Sequence, residues 1–238
     1  MNKAAENSQK PESANIRQFD IVGNEMTIGG LSLQRVAALA GQTPFYAYER
    51  RILSTGVQRL KEFLPEGIHL HYAMKANPMP AVVQHMADLV DGLDVASGAE
   101  LRVALSAGVT PARISFAGPG KSEEDLGAAV ASGVIINLES ENEMRRVAKL
   151  ASRMGLIAPV AIRVNPDFEV KASGLTMGGG GQPFGVDAER VPEMLSALQE
   201  LPLEFFGFHI FSGSQNLRGE AIMDIHTQTF ELAFRLAE

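Results

Sequence analysis

Apolar and polar residues alternate along the segment 68–77. One side of the alternation carries Ile68, Leu70, Tyr72 and Met74, and the other carries His69, His71, Ala73 and Lys75. A period of two residues is typical of a β-strand with one apolar face. The pattern therefore predicts a strand that ends at Asn77-Pro78, with Lys75 at its carboxyl end and directed away from the packed face.

A lysine at the end of an inward-facing strand has two interpretations. An ammonium group that points into a closed sheet is unfavourable unless it is paired or used in chemistry. Lys75 is therefore either one member of a structural salt bridge or a nucleophile that forms a Schiff base, since desolvation favours the neutral amine.

Strands and helices alternate regularly after this segment. Further strands are predicted at 92–96, 114–117, 134–138, 160–164 and 205–210. Helices are predicted between them at 82–89, 99–107, 123–131, 141–154 and 189–201, with a last helix from about residue 220. Such alternation implies parallel βαβ units, and the succession predicts six parallel strands. Before the first unit, the pattern predicts helices at 31–40 and 49–64 and a short aromatic strand at 45–48.

Several of these strands place a polar side chain opposite the apolar stripe, near the carboxyl end. These side chains are Lys75, Asp94, Asn137, Glu139, Arg163, Asn165 and His209. Their convergence favours a TIM-like (β/α)8 barrel over a flat doubly wound sheet, because barrel active sites are built at that end. A full barrel needs about 250 residues, so the sequence predicts a barrel truncated after about six strands. We expect a disordered leader at 1–15, a segment at 16–48 that belongs to a second β domain, and the incomplete barrel at 49–238.

Composition narrows the function further. The net charge of −7 argues against nucleic acid as a partner, and the absence of cysteine excludes thiolate metal sites and disulfides. The histidines show no metal-ligand spacing with a carboxylate partner, so no metal is predicted. The polar leader and the lack of a long apolar run predict a cytoplasmic protein without a membrane anchor.

Four motifs carry a family resemblance. They are Tyr-Ala-Met-Lys-Ala-Asn at 72–77, Asp-Val-Ala-Ser-Gly-Ala-Glu at 94–100, Arg-Val-Asn-Pro at 163–166 and His-Ile-Phe-Ser-Gly-Ser-Gln at 209–215. In this order they resemble the motifs of the fold-type III pyridoxal-phosphate (PLP) decarboxylases, the ornithine/diaminopimelate/arginine decarboxylase family. The loop 171–187 resembles the branch associated with the exosortase A system and exopolysaccharide loci. The resemblance implies an alanine racemase-like barrel and pyridoxal 5'-phosphate as cofactor.

The resemblance also implies roles for individual residues. Lys75 would form the Schiff base with the cofactor, and His209 would stack on the ring, although a satisfied core histidine is the alternative. Asp94 and Glu100 would lie around the lysine and the ring; Glu100 could equally be a carboxylate at a helix N-terminus. Arg163 would lie at the ring's hydroxyl edge, and its alternative is an ion pair with Asp94.

Two serines are candidates for the phosphate ligand. Family members read His-X-Gly-Ser, whereas this chain has two extra positions before Gly213-Ser214. Aligned from His209, Ser212 is the phosphate ligand; aligned from Gln215, it is Ser214. The glycine run 178–181 lacks the ending of a P-loop, and a flexible active-site loop is the preferred interpretation.

The predicted function is decarboxylation of an amino acid, of the diaminopimelate or ornithine kind or bound to a carrier protein. The alternatives are an amino-acid racemase and a non-catalytic PLP-binding barrel. The full-length protein is predicted to be a homodimer, and the 238 residues alone to be inactive, since the resemblance assigns part of the site to a region beyond Glu238.

Overall fold

The computed structural model describes residues 18–168, 184–214 and 218–238, in two compact units that divide between Leu64 and Pro65. The first unit opens with a small antiparallel sheet of three strands, β1 (Ile21–Val22), β2 (Glu25–Ile28) and β3 (Leu31–Ser32). Two helices follow, α1 (Leu33–Ala40) and α2 (Arg50–Phe63). Both helices were predicted. The assignment of residues 16–48 to a second β domain stays a prediction.

The aromatic strand predicted at 45–48 is wrong. This segment is extended chain without strand pairing, and Tyr46 is 93% exposed. The propensity of aromatic residues for strands depends on a neighbouring strand and a surface to pack on, and this segment has neither among the described residues of its unit.

The second unit is built on a parallel sheet. Its strands are β4 (His71–Ala73), β5 (Gly92–Val95), β6 (Ile114–Phe116), β7 (Ile135–Leu138), β8 (Ala158–Asn165), β9 (Val186–Asp187) and β10 (Leu203–Ile210). Six of them lie side by side in chain order, from β4 to β8 and then β10, and the short β9 pairs with the end of β8. This order confirms the predicted class, an α/β fold with consecutive parallel βα units. Within the described part of the chain, no strand pairs with the outer side of β4, so the barrel is not closed.

Each of the six neighbouring strands is followed by a helix: α3 (Pro80–Ala87), α4 (Gly98–Ser106), α5 (Glu123–Ser132), α6 (Glu141–Met154), α7 (Val191–Leu198) and α8 (Gly219–Ala237). They cover the apolar face of the sheet. The strand residues Leu93, Phe116, Ile136 and Ile162 are completely buried there. The helix α6 contributes Met144, Val147 and Ala151 to the same core, at the spacing expected of one helix face.

The strand predicted to carry Lys75 is shorter than expected. It ends at Ala73, and Met74–Ala76 form a turn of 3-10 helix. Asn77 stabilises the turn's exit, because its side-chain oxygen accepts a hydrogen bond from the Met79 N–H at 3.0 Å and its carbonyl accepts one from the Tyr72 hydroxyl at 3.0 Å. Lys75 therefore lies in this turn, just after the end of β4, and is exposed.

Candidate active site at the carboxyl edge of the sheet

Polar side chains from adjacent strands lie next to one another on the face opposite the helices. His71 Nδ1 is 3.1 Å from Asp94 Oδ1, and the Asn137 amide donates to Ser115 Oγ at 2.7 Å. Arg163 and His209 are register partners across β8 and β10. The sequence pattern predicted this convergence, because inward positions at the same level of parallel strands share one side of the sheet.

Lys75 and Arg163 approach the same aromatic ring. The Lys75 Nζ lies 5.8 Å from the centre of the Phe211 ring, and the Arg163 guanidinium lies 6.0 Å from it. Both cations therefore approach Phe211, which directly follows β10. Lys75 is exposed in this unclosed sheet. Its desolvation inside a closed barrel, which would favour the neutral amine, stays a prediction.

Arg163 is held by Glu139. Its Nη1 donates to Glu139 Oε1 at 2.9 Å, and both side chains are at least 90% buried. Its guanidinium also lies over the Phe184 ring, 4.7 Å from the centre. The alternative considered from sequence, an ion pair with Asp94, is wrong: Asp94 pairs with His71, and the partner of Arg163 comes from the neighbouring strand end.

His209 is a half-buried residue whose Nδ1 is completely buried. This nitrogen has no hydrogen-bond partner among the described residues. Burial lowers the pKa of His209, and the nearby Arg163 cation lowers it further, as does Lys121, while Asp94 and Glu139 act in the opposite direction. The imidazole is therefore held neutral, and its unpartnered Nδ1 is the feature that a satisfied core histidine would lack. A buried nitrogen without a partner is unfavourable in a folded protein, and a catalytic role or a bound water or ligand would account for it.

Glu100 occupies the helix-end position that was weighed from the sequence. Its Oε2 accepts a hydrogen bond from the Ala96 N–H at 2.7 Å, and its own N–H donates to Ser97 Oγ at 3.2 Å. The carboxylate thus closes the first turn of α4. A role for Glu100 beside the cofactor stays a prediction.

The two serines have different surroundings. Ser212 is buried and its hydroxyl is 2.6 Å from the Thr229 hydroxyl of α8, whereas Ser214 is half-buried at the end of the described loop. Gln215 and the glycine run 178–181 lie outside the described residues. The choice between the two serines as the phosphate ligand therefore stays a prediction.

Sequence reasoning missed a buried charge cluster at the ends of β6 and β7. Lys121 follows β6 and Glu143 lies in the first turn of α6, and their side chains are 1% and 5% exposed, with Nζ and Oε2 3.1 Å apart. Burial lowers the pKa of Lys121, and Glu143 acts against that shift. A lysine followed by acidic residues at 121–125 is the pattern of an exposed helix start, so nothing local marks Lys121 as buried.

The arrangement fits pyridoxal phosphate. An exposed primary amine on Lys75 can react with an aldehyde, Arg163 provides a cation, and His209 provides a neutral ring with an unused buried nitrogen. Among the residues that the structure describes, no group of three or more His, Asp or Glu side chains is arranged to hold a metal ion, and no helix is long and apolar enough to cross a membrane.

Six consecutive βα units with a lysine, a histidine and an arginine at the carboxyl edge define the pyridoxal-binding half of a fold-type III barrel protein. The family described as "Pyridoxal-dependent decarboxylase, pyridoxal binding domain" matches residues 50–237. The chain belongs to this family, and the family confirms the predicted cofactor.

Individual relatives agree with this assignment. The chain is 37% identical over 198 residues to the diaminopimelate decarboxylase of Aquifex aeolicus, covering 81% of this chain and 46% of that protein. It is 32% identical over 199 residues to the L-glutamyl-[BtrI acyl-carrier protein] decarboxylase of Niallia circulans, covering 83% and 46%. The crystal structure of diaminopimelate decarboxylase from Helicobacter pylori in complex with L-lysine superposes with a TM-score of 0.76 at 30% identity, covering 86% of this chain and 53% of that one. The chain thus spans about half the length of the relatives it matches.

Proposed function

We propose that this chain is the cofactor-binding part of a PLP-dependent amino-acid decarboxylase in which Lys75 holds the cofactor as a Schiff base. One observation carries the proposal. The Lys75 amine and the Arg163 guanidinium lie about equally far from the Phe211 ring, at the same edge of the sheet as the unpartnered nitrogen of His209.

Each residue has a distinct task in this proposal. Lys75, on its turn after β4, presents an amine that can exchange with the amine of an incoming substrate. When bound, PLP supplies an acceptor for the electron pair that remains when carbon dioxide departs. The lowered pKa of His209 keeps its imidazole uncharged, so the ring can lie against an aromatic cofactor without adding a positive charge. In this proposal Arg163 offers its guanidinium to the ring hydroxyl, and Asp94 and Glu100 would lie around the lysine and the ring.

The substrate in this proposal is an amino acid. Diaminopimelate and an amino acid bound to a carrier protein are both supported, since the names of relatives specify diaminopimelate and an L-glutamyl group on an acyl-carrier protein. A homodimer, a cytoplasmic location and a connection with exopolysaccharide synthesis remain predictions, as do the phosphate contacts of Ser212 or Ser214.

Covalent labelling tests the Schiff base directly. The full-length protein is incubated with PLP, reduced with borohydride and digested, and the pyridoxyl-labelled peptide is identified by mass spectrometry. We expect the label on Lys75 and none in a Lys75→Arg variant, which keeps the positive charge but cannot form the Schiff base. A label on Lys61, Lys121 or Lys171 in the wild-type protein would contradict the proposal.

The reaction type is tested separately with candidate amino acids and the full-length protein. Release of carbon dioxide and formation of the amine are expected. Inversion of the substrate's α-carbon without loss of carbon dioxide would identify a racemase instead, and labelling of Lys75 without turnover of any candidate would favour a PLP-binding protein.

A further inference from the structure

Arg163 belongs to a buried cluster of two cations and two carboxylates. They are Lys121, Arg163, Glu139 and Glu143, and each is at most 10% exposed at its side chain. The cluster is neutral as a whole, which is the condition under which buried charges are tolerated. Since Arg163 belongs to the proposed cofactor site, the contacts of the three other residues bear on how its guanidinium is held.

Lys121 is fully used as a donor. Its Nζ donates to the Gly118 carbonyl at 2.6 Å, to the Asn137 carbonyl at 3.0 Å and to Glu143 Oε2 at 3.1 Å. An ammonium group has three donors, so every one has an acceptor. No donor is left for a ligand, and Lys121 is therefore a fixed internal support.

Glu143 connects this support to the end of β7. The same Oε2 atom that meets Lys121 also accepts a hydrogen bond from the Glu139 N–H at 2.9 Å. The backbone from which the Glu139 side chain departs is thus fixed by a buried ion pair.

The Glu139 carboxylate then connects three chain segments. Its Oε1 accepts from the Gly118 N–H at 2.6 Å and from Arg163 Nη1 at 2.9 Å, and its Oε2 accepts from the Gly185 N–H at 3.0 Å. Gly185 has φ +77°, and a Cβ there would lie 2.9 Å from the Arg163 carbonyl. Only glycine can bring its N–H to the carboxylate at this close approach.

We propose that Glu139, supported by Lys121 and Glu143, is a positioning residue that fixes the Arg163 guanidinium at the cofactor site. The inference rests on the proposed function, since it gives Arg163 a task at the cofactor. The Glu139 carboxylate already accepts three hydrogen bonds from the protein, one of them from Arg163, so its proposed effect on the cofactor passes through Arg163.

Four variants of the full-length protein test this inference: Glu139→Gln, Arg163→Met, the two combined, and Glu141→Gln as a matched control. Glu141 begins α6, the helix that carries Glu143, but it pairs with Arg145 and Arg190 on the exposed side. The affinity for PLP is measured by absorbance titration, and the pH midpoint of the bound cofactor's absorbance is measured without substrate.

We expect Glu139→Gln and Arg163→Met each to weaken PLP binding about tenfold, the size of one charged hydrogen bond. The combined variant should be no weaker than Arg163→Met alone, since Glu139 acts only through that side chain. The absorbance midpoint should move in the same direction in both single variants, and Glu141→Gln should stay within about twofold of wild type.

Multiplicative losses, of about a hundredfold in the combined variant, would overturn the inference. So would a Glu139→Gln protein that melts earlier but keeps the wild-type midpoint and affinity, because its role would then be only structural. If Glu139→Gln does not fold, the neutral replacement Lys121→Met/Glu143→Met is measured instead, and wild-type affinity and midpoint in that folded protein would overturn the inference.

Borohydride labelling separates the two proposals. Failure to label Lys75 in the wild-type protein contradicts the proposed function and this inference together. Labelling of Lys75 with unchanged cofactor properties in Glu139→Gln contradicts the positioning role alone.

Discussion

Two strand-to-helix junctions of the second unit share a local pattern, a serine followed three residues later by a glutamate. At the junction of β5 and α4 these residues are Ser97 and Glu100, and at the junction of β7 and α6 they are Ser140 and Glu143. In both, the serine Oγ accepts from the glutamate N–H at 3.2 Å. In both, the glutamate Oε2 also accepts from the N–H of the residue that precedes the serine.

The junctions differ in what surrounds the glutamate. Glu100 is half-buried and closes only its own helix, whereas Glu143 is buried against the Lys121 ammonium and supports Glu139. The same local hydrogen bonds therefore serve a surface cap in one place and an internal charge cluster in the other. The difference lies in the partner supplied by a distant segment.

The largest expected effect comes from breaking the buried pair. Lys121→Met leaves Glu139 and Glu143 with one cation between them, and removal of one partner of a buried ion pair destabilises by about 3–5 kcal/mol. Denaturant unfolding of the full-length protein measures this loss. The combined Lys121→Met/Glu143→Met protein should recover most of it, and a combined loss as large as that of Lys121→Met would show that the two charges do not compensate each other.

A smaller effect is expected at the start of α4. A Cβ on Gly98 would lie 2.0 Å from Asp125 Oδ1, and Asp125 forms the capping box of α5 with Ser122. Gly98→Ala must displace that carboxylate and should destabilise by about 1–3 kcal/mol, the usual range for overpacking. The control is Gly120→Ala, because nothing lies within 4 Å of the added methyl group there; equal melting temperatures for the two variants would contradict the prediction.

The pH dependence of stability tests the effect of burial and of the neighbouring Arg163 on His209. Its pKa in the folded chain is lowered by burial and by Arg163, whereas an unfolded histidine titrates near about 6.5. As the pH falls below that value, the unfolded chain takes up a proton that folded His209 resists, so the free energy of unfolding decreases. One such proton accounts for a slope of at most about 1.4 kcal/mol per pH unit.

Below about pH 6.5, His209→Asn should remove the part of the slope that this histidine contributes. Unfolding curves at several pH values, compared with those of His226→Asn as a control on α8, measure the difference. An identical slope in wild type and His209→Asn would show that the imidazole is not held neutral by the fold.

The smallest effect is expected for Glu100→Gln. The loss concerns one half-buried cap contact, and such changes typically reduce stability by about 0.5–1.5 kcal/mol. The matched change is Glu143→Gln, which removes the same local contact together with the ion pair and should destabilise several times more. Comparable melting temperatures for these two variants would contradict the conclusion that Glu143 contributes more to stability than Glu100.

Prediction from sequence was most successful where the signal is local and repeated. The periodic apolar positions of 141–154 predicted α6 with its bounds as observed, and the inward positions of Asp94, Arg163 and His209 followed from strand alternation. The predicted end of the Lys75 strand was wrong, because the alternation continues through Met74 while the backbone has already turned into a 3-10 helix that Asn77 stabilises.

The sequence by itself determined the class of fold, the family motifs and the set of inward-facing polar residues, since all of these follow from short-range periodicity and spacing. Only the tertiary structure decided which charge meets which: Lys121 reaches Glu143 across 22 positions of sequence, Arg163 reaches Glu139 across 24, and His71 takes the Asp94 carboxylate that was the alternative partner considered for Arg163. The physical reason is that periodicity records the face on which a residue lies. The partner on that face is set by the packing of neighbouring strands, and by the requirement that each buried charge be neutralised by another.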